Sequence, residues 1–380
     1  MKSLLISVLL CLLAAPLIAA PIYRVPLIHT TVYTKYKTWA YFYQNSQTEP
    51  TLANVDTGSP SVLAVGNADI CPSCGGDYRL NVGTESLGKA YRLGMLGGGT
   101  VNVFPTTVSL QNTPKFKLNA GVITSANRGD MLHPIVGMDP EKLVHGQIVS
   151  FMRNIVRTNH VPYNFGLLLC PLNGELDLGG VPAFVNHSSG VSAPFNKTLH
   201  RFSVPPASLS VTVNGNTEPL GNFPPLSRKS HYVFDSGTPV WVIDSTLYSQ
   251  MARVLIRYSR QHQLGIPARF WENLRPYSKR GIALSQNIIN QFYTMPVFNI
   301  VFANGTTIHV HADTYLRPID SGNYIFAINS SNNGTEIFGD TVIMNYYLNY
   351  DWSKGVMTFY SNQGLCSPSN LVAINPPSIY

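Results

Sequence analysis

The chain has 380 residues, 44% of them apolar and only 12% charged, with a formal net charge of +7. That balance excludes an intrinsically disordered chain and leaves room for about two packed domains. The basic excess is scattered, with only small clusters such as Arg228-Lys229 and Lys279-Arg280. It therefore argues for a solvated surface and against a nucleic-acid partner.

The N-terminus carries Lys2, an apolar run from Leu4 to Leu13, and small residues at Ala14, Ala15, Ala19 and Ala20. This is the layout of a cleavable secretory signal over residues 1–20. No later stretch approaches the roughly 20 apolar residues of a spanning helix, and the polar C-terminus lacks a lipid-anchor tail. No membrane partner is expected, and the extracellular space or an endolysosomal lumen is the expected location. Residues 21–36 form a short leading segment, 37–185 a first lobe and 186–380 a second. The boundary lies in a loop-like stretch around the sequons near Asn196. Once Cys11 leaves with the signal, Cys71, Cys74, Cys170 and Cys366 remain. They suit two disulfides in an oxidising compartment, with three pairings open. Asn-X-Ser/Thr sequons begin at Asn186, Asn196, Asn304, Asn329 and Asn333, the expected glycan acceptors of a secretory-pathway protein.

Residues 100–110, 202–213, 297–302 and 356–360 are rich in Val, Ile, Thr, Phe and Tyr and are bounded by Gly, Pro or Asn, which predicts strands and an all-β class. Two segments have helical period instead. Residues 141–155 place Ile148, Phe151, Met152 and Ile155 on one face, and residues 245–258 do so with Leu247, Met251, Val254, Leu255 and Tyr258.

The most informative feature is an internal repeat. Val55-Asp56-Thr57-Gly58-Ser59-Pro60 is echoed by Phe234-Asp235-Ser236-Gly237-Thr238-Pro239. Each copy is followed downstream by two apolar residues and a glycine, Ile135-Val136-Gly137 and Ile337-Phe338-Gly339. One Asp-Thr-Gly alone reads as a surface turn, but two copies in the same order read as paired loops. In such a pair Gly58 and Gly237 allow close backbone approach. Thr57 and Ser236 can bond across to the opposite loop, and Ser59 and Thr238 can hold the outer carboxylate oxygens. Two carboxyl groups held this close share a proton, so one can act as base and the other as acid.

Other constellations carry less. Cys71-Pro72-Ser73-Cys74 has redox spacing but reads as a structural disulfide beside Gly75-Gly76. His309 and His311 share a face of a strand without an acidic or Cys partner at matching spacing, so no metal is expected. The glycines from Gly97 to Gly99 lack the Lys-Ser/Thr of a phosphate loop, and no Gly-X-Ser-X-Gly elbow is present.

With Glu175-Leu176-Asp177-Leu178-Gly179-Gly180, and with Phe338-Gly339-Asp340 through Asn345-Tyr346-Tyr347 and Tyr350-Asp351, the chain resembles the pepsin family of aspartic peptidases across residues 41–360. The resemblance implies a bilobal all-β fold with a few short helices, a cleft between the lobes, a monomer, and neither cofactor nor metal. It implies that Asp56 and Asp235 are the catalytic pair of an acid endopeptidase acting on peptides or unfolded proteins. It further implies that Met95, Leu96 and Gly97 belong to a flap and, with Ile135, line the substrate. In that fold the strands before Cys170 and Cys366 join the lobes, which pairs these two and leaves Cys71 with Cys74. The chain departs from the family at the flap, where ungapped positions put Gly94 in place of the usual Tyr and Leu63 in place of the usual Trp. Tyr23-Arg24-Val25-Pro26-Leu27 resembles the start of the family's inhibitory prosegment but lies too near Asp56 for a full latch through Lys35 or Lys37. Two functions follow: an active acid endopeptidase, or a homologue that binds peptides or proteins in its cleft with weakened turnover.

Overall fold

The computed structural model describes residues 22–29, 38–44, 50–66, 79–80, 91–92, 99–126, 134–140, 150–199, 201–225, 231–273, 280–319, 322–331 and 335–373. Among them the largest sheet has 14 strands. At its centre two hairpins meet edge to edge. Asn164–Leu169 with Asn173–Leu178 comes from the first half of the chain, and Tyr346–Asp351 with Val356–Ser361 from the second. The two are joined by antiparallel pairing of Asn164–Leu169 with Tyr346–Asp351. Each hairpin is flanked on its far side by one further strand, Tyr23–His29 on the first and Val191–Pro194 on the second. The internal repeat of the sequence thus has a two-fold counterpart in space.

Five consecutive residues of each central strand from the first half are buried. A strand covered on both faces reads as an unbroken apolar run, as Phe165 to Leu169 does around Gly166. Phe165 stacks on Tyr350 across the junction with centroids 4.6 Å apart, and Phe202 packs edge-on against both. Each such aromatic pair adds about 0.5–1.5 kcal/mol beyond area burial, so the rings hold the lobes together where the backbones meet. The disulfide Cys170–Cys366 closes the same region, linking the turn of the first hairpin to the segment after the last strand.

Beyond the centre, each lobe repeats one motif. Thr51–Asp56 runs parallel to Ile135–Gly137, whose other side pairs antiparallel with Val62–Gly66. In the second lobe His231–Phe234 runs parallel to Thr335–Phe338, whose other side pairs antiparallel with Trp241–Asp244. The glycine that ends the first of these middle strands and the one that follows the second are required by space. A β-carbon on Gly137 would lie 2.3 Å from the Ser61 carbonyl oxygen, and one on Gly339 would lie 2.3 Å from those of Thr238 and Val240.

The structure adjusts several expected elements. The helix expected over 141–155 is Phe151–Asn159, because Ser150 caps it by accepting from the Arg153 amide; residues 141–149 lie outside the described residues. The second helix is Ser245–Gln261, started by the Asp244 side chain on the Thr246 and Leu247 amides. It outruns its apolar stripe by a turn of Ser259, Arg260 and Gln261. The strand expected over 202–213 begins at Pro206. Within the segment 21–36, Tyr23–His29 is a strand inside the large sheet with Val25 and Leu27 fully buried.

That strand also carries Arg24 into a buried polar cluster. The guanidinium donates to both oxygens of Glu175 at 2.6 and 2.7 Å and lies 3.7 Å from Asp177, both carboxylates being fully buried. Tyr347 donates to Asp177 at 2.9 Å. Burial and neighbouring Glu175 push the Asp177 carboxyl well above the usual range, against the pull of Tyr347 and Arg24.

Candidate active site

Asp56 ends one strand and Asp235 follows the equivalent strand of the other lobe. The turn after each aspartate folds back on its carboxylate. The Gly58 amide donates to Asp56 Oδ1 at 2.9 Å and the Ser59 hydroxyl to Oδ2 at 2.6 Å. The Gly237 amide donates to Asp235 Oδ1 and the Thr238 hydroxyl to Oδ2, both at 2.7 Å. The two loops are therefore chemically matched.

They are also tied to each other. Thr57 Oγ1 donates to the Phe234 carbonyl at 2.8 Å while accepting from the Ser236 amide at 3.0 Å. Ser236 Oγ donates to the Val55 carbonyl at 2.7 Å while accepting from the Thr57 amide at 3.2 Å. Both hydroxyls are buried, so each bond replaces water that the backbone groups cannot reach. This exchange fixes the distance between the loops. A β-carbon on Gly58 would sit 2.5 Å from Asp235 Cγ, and one on Gly237 would sit 2.7 Å from Asp56 Cγ. Each glycine thus lies flat against the opposite carboxylate.

Burial, then the charge of Asp235, raise the Asp56 carboxyl well above the usual range, while the Ser59 and Gly58 bonds pull the other way. A carboxyl that resists ionisation beside a second carboxyl is the condition for one shared proton. Tyr350, stacked on Phe165 at the lobe junction, is fully buried, and burial pushes its hydroxyl far up.

The remaining candidates fall in different places. Ile135 lies in the sheet opposite Asn54, buried and 6% exposed. Leu63 is buried in the strand beside it, pairing with Ile135 and Gly121. Tyr91–Arg92 pairs with Val101 and Thr100 to start a hairpin, while Gly94, Met95, Leu96 and Gly97 lie outside the described residues, as do Lys35, Lys37, Cys71, Cys74 and Asn333. His309 ends up in the strand Thr307–Val310 with Nδ1 2.7 Å from Asn299 Oδ1, and His311 follows the strand. Their rings lie 6.4 Å apart. Among the described residues no group of three His, Cys, Asp or Glu is placed to hold a metal. The two histidines line a surface cavity of about 770 Å³ with Tyr293, Asp313 and Asn345, to which neither Asp loop contributes.

Residues 209–361 match the family model described as xylanase inhibitor C-terminal. The match contains the second Asp loop, the second-lobe sheets and the last central hairpin. No curated protein matches the chain.

Proposed function

The chain belongs with the pepsin-like aspartic peptidases through residues 209–361, and on that premise we propose that it is an acid endopeptidase whose catalytic pair is Asp56 and Asp235. The observation that carries the reading is the matched set of hydrogen bonds around two facing carboxyl groups, each held from its own loop and tied to the other by Thr57 and Ser236. With one proton between them, the ionised carboxylate takes a proton from a water placed between the two. That water attacks the scissile carbonyl, and the protonated partner donates to the carbonyl oxygen. The resulting gem-diol collapses as a proton passes to the leaving amine. Asp residues thus serve as base and acid in turn, with no covalent bond to the enzyme. The substrates are peptides or unfolded proteins that reach the cleft in extended form, and the compartment is an acidic lumen or the extracellular space.

A second reading has a specific observation behind it. The matched family model is described as an inhibitor domain, and the flap positions depart from the peptidase pattern. In that reading the cleft binds a peptide or protein without turning it over.

Digestion of unfolded haemoglobin or casein across acid pH separates the two. The wild-type chain should cleave with an optimum below neutrality and be blocked by a statine-type inhibitor. Asp56→Asn and Asp235→Asn should each abolish cleavage while keeping the native circular dichroism. Near-normal turnover in either variant, or an optimum above about pH 8 where no general acid would remain, would overturn the dyad mechanism. Tight inhibitor binding without any product from the wild type would establish the second reading instead.

A further inference from the structure

Three of the five sequons meet at one sheet edge. Among the described residues Val191–Pro194 is the terminal strand of the large sheet, paired with Val356–Ser361 on one side and with no strand on the other. Three of its four residues are exposed, including Val191 at 42%. An exposed strand edge is a template for pairing with another chain. Asn186 caps the short helical turn His187–Ser189 just before this strand, and Asn196 begins the turn just after it. Asn304, more than 100 residues away in sequence, lies in the turn between Val297–Phe302 and Thr307–Val310. Its Nδ2 donates to the Ser192 carbonyl at 2.8 Å, and the Thr306 hydroxyl of the same sequon donates there at 2.7 Å.

The acceptor geometry differs between the sequons. At Asn186 the amide and hydroxyl of Ser188 both donate to Oδ1, at 3.1 and 2.7 Å. At Asn196 those of Thr198 do the same at 3.1 and 2.5 Å. Both arrangements hold the asparagine by its oxygen in a turn at the surface. Asn304 uses one of its two N–H bonds on Ser192 and keeps the other for substitution. Asn329 is different. It lies within the strand Ile328–Ser331, in register with Val242, with its side-chain oxygen taken by Asn273. Held in a strand, this sequon lacks the turn that presents Asn186 and Asn196.

We propose that Asn186, Asn196 and Asn304 carry N-linked glycans forming one rim around the Val191–Pro194 edge, and that this rim prevents edge-to-edge pairing with a second copy of the chain. The proposal rests on entry into the secretory pathway and not on catalysis. The modification transfers an oligosaccharide from a lipid-pyrophosphate donor. The donor's C1–O bond and one Nδ2–H bond break, a C1–N bond forms, and the proton leaves with the lipid pyrophosphate. The backbone already blunts the edge, since Ser192 O is capped and Pro194 has no N–H. The glycans add bulk where Val191 remains exposed.

The test expresses the full chain in a eukaryotic secretory host, once with its own N-terminus and once behind a host leader. Failure of secretion with the native N-terminus alone speaks against the secretory reading, whereas glycan placement is read from the host-leader protein. Peptide mapping after enzymatic glycan release in heavy-oxygen water should mark Asn186, Asn196 and Asn304 and leave Asn329 unmarked. Stripping the glycans from folded protein should shift it from monomer to concentration-dependent dimers and larger species in sedimentation velocity. The variant S188A/T198A/T306A, which removes the sequons but keeps each Asn, should behave like the stripped protein. Val191→Lys should hold the stripped protein monomeric by placing a charge on the edge. The proposal falls if host-leader protein carries no glycan at these three sites, or if folded protein carries one at Asn329. It also falls if the stripped protein stays monomeric at every concentration, or if Val191→Lys fails to suppress its association.

Discussion

Asp56 and Asp235 sit in nearly identical loops, so any asymmetry between them comes from surroundings and not from residue type. For Asp56 the surroundings are burial and a facing carboxyl, which raise its folded pKa well above the ordinary carboxylate value. A raised carboxyl stabilises the fold while protonated. That contribution is whole below the unfolded value and is lost as pH rises through the folded one. The melting temperature should therefore fall as pH rises above the usual carboxylate range, and Asp56→Asn should remove part of that slope. Calorimetry of both proteins across the acid range checks it. An unchanged slope in Asp56→Asn would mean that the pair does not hold the proton. Glu336, nearly fully buried and pushed up to about 8 chiefly by burial, adds a further loss between the ordinary carboxylate range and that value. Because the two losses overlap, the difference between wild type and Asp56→Asn is the diagnostic quantity.

At the scale of elements, the strand Tyr23–His29 shows how one side chain can fix a whole strand. Backbone pairing with Asn173–Leu178 sets its register, but Arg24 matches the buried Glu175 and approaches Asp177. It also reaches the Asn370 carbonyl at 2.5 Å and lies 4.7 Å from the Phe184 ring centroid. The C-terminal segment is held by the same carboxylate, since the Val372 amide donates to Glu175 at 3.0 Å. Removing the cation leaves two buried carboxyl groups uncompensated. Arg24→Gln should cost about 3 kcal/mol, the low end for a broken buried pair, because a third of the side chain meets water. The deficit should shrink at acid pH, where protonated carboxyls need no cation. Urea unfolding at two pH values measures it, and equal deficits at both would show that packing, not charge, holds the strand.

For the whole molecule the question is what keeps two lobes in one geometry. The central hairpins, the ring cluster of Phe165, Phe202 and Tyr350, and the Cys170–Cys366 disulfide all act at the same junction. A cross-link spanning a sequence separation of 196 residues restricts the unfolded chain, worth about 5 kcal/mol by loop entropy. The double variant C170S/C366S should lower the unfolding midpoint accordingly. It should raise amide exchange in Asn164–Leu169 and Val356–Ser361 before the Asp loops respond. Exchange that rises first at Thr57 and Ser236 would contradict this order.

The sequence by itself determined the all-β class, the paired Asp loops, the glycine at the end of each middle strand, the buried stripe of the second helix and the Phe151, Met152 and Ile155 part of the first. These are legible because their causes are local: strand and helix periods, and glycines where backbone crowds backbone. The residues alone left three cysteine pairings open; the resemblance to the pepsin family implied Cys170 with Cys366, and the structure forms that bridge. Helix boundaries were less legible, since Ser150 and Asp244 decide them through single capping bonds. Tertiary structure alone decided which distant groups meet. It brings Arg24 to Glu175 across 151 positions and Thr57 to the Phe234 carbonyl across 177. It gathers Asn186, Asn196 and Asn304 around one terminal strand, and it sets His309 against Asn299. Such contacts depend on how two sheets close on each other. Residue type and spacing carry no record of that closure, because the same strand can pair with many neighbours until the lobes are packed.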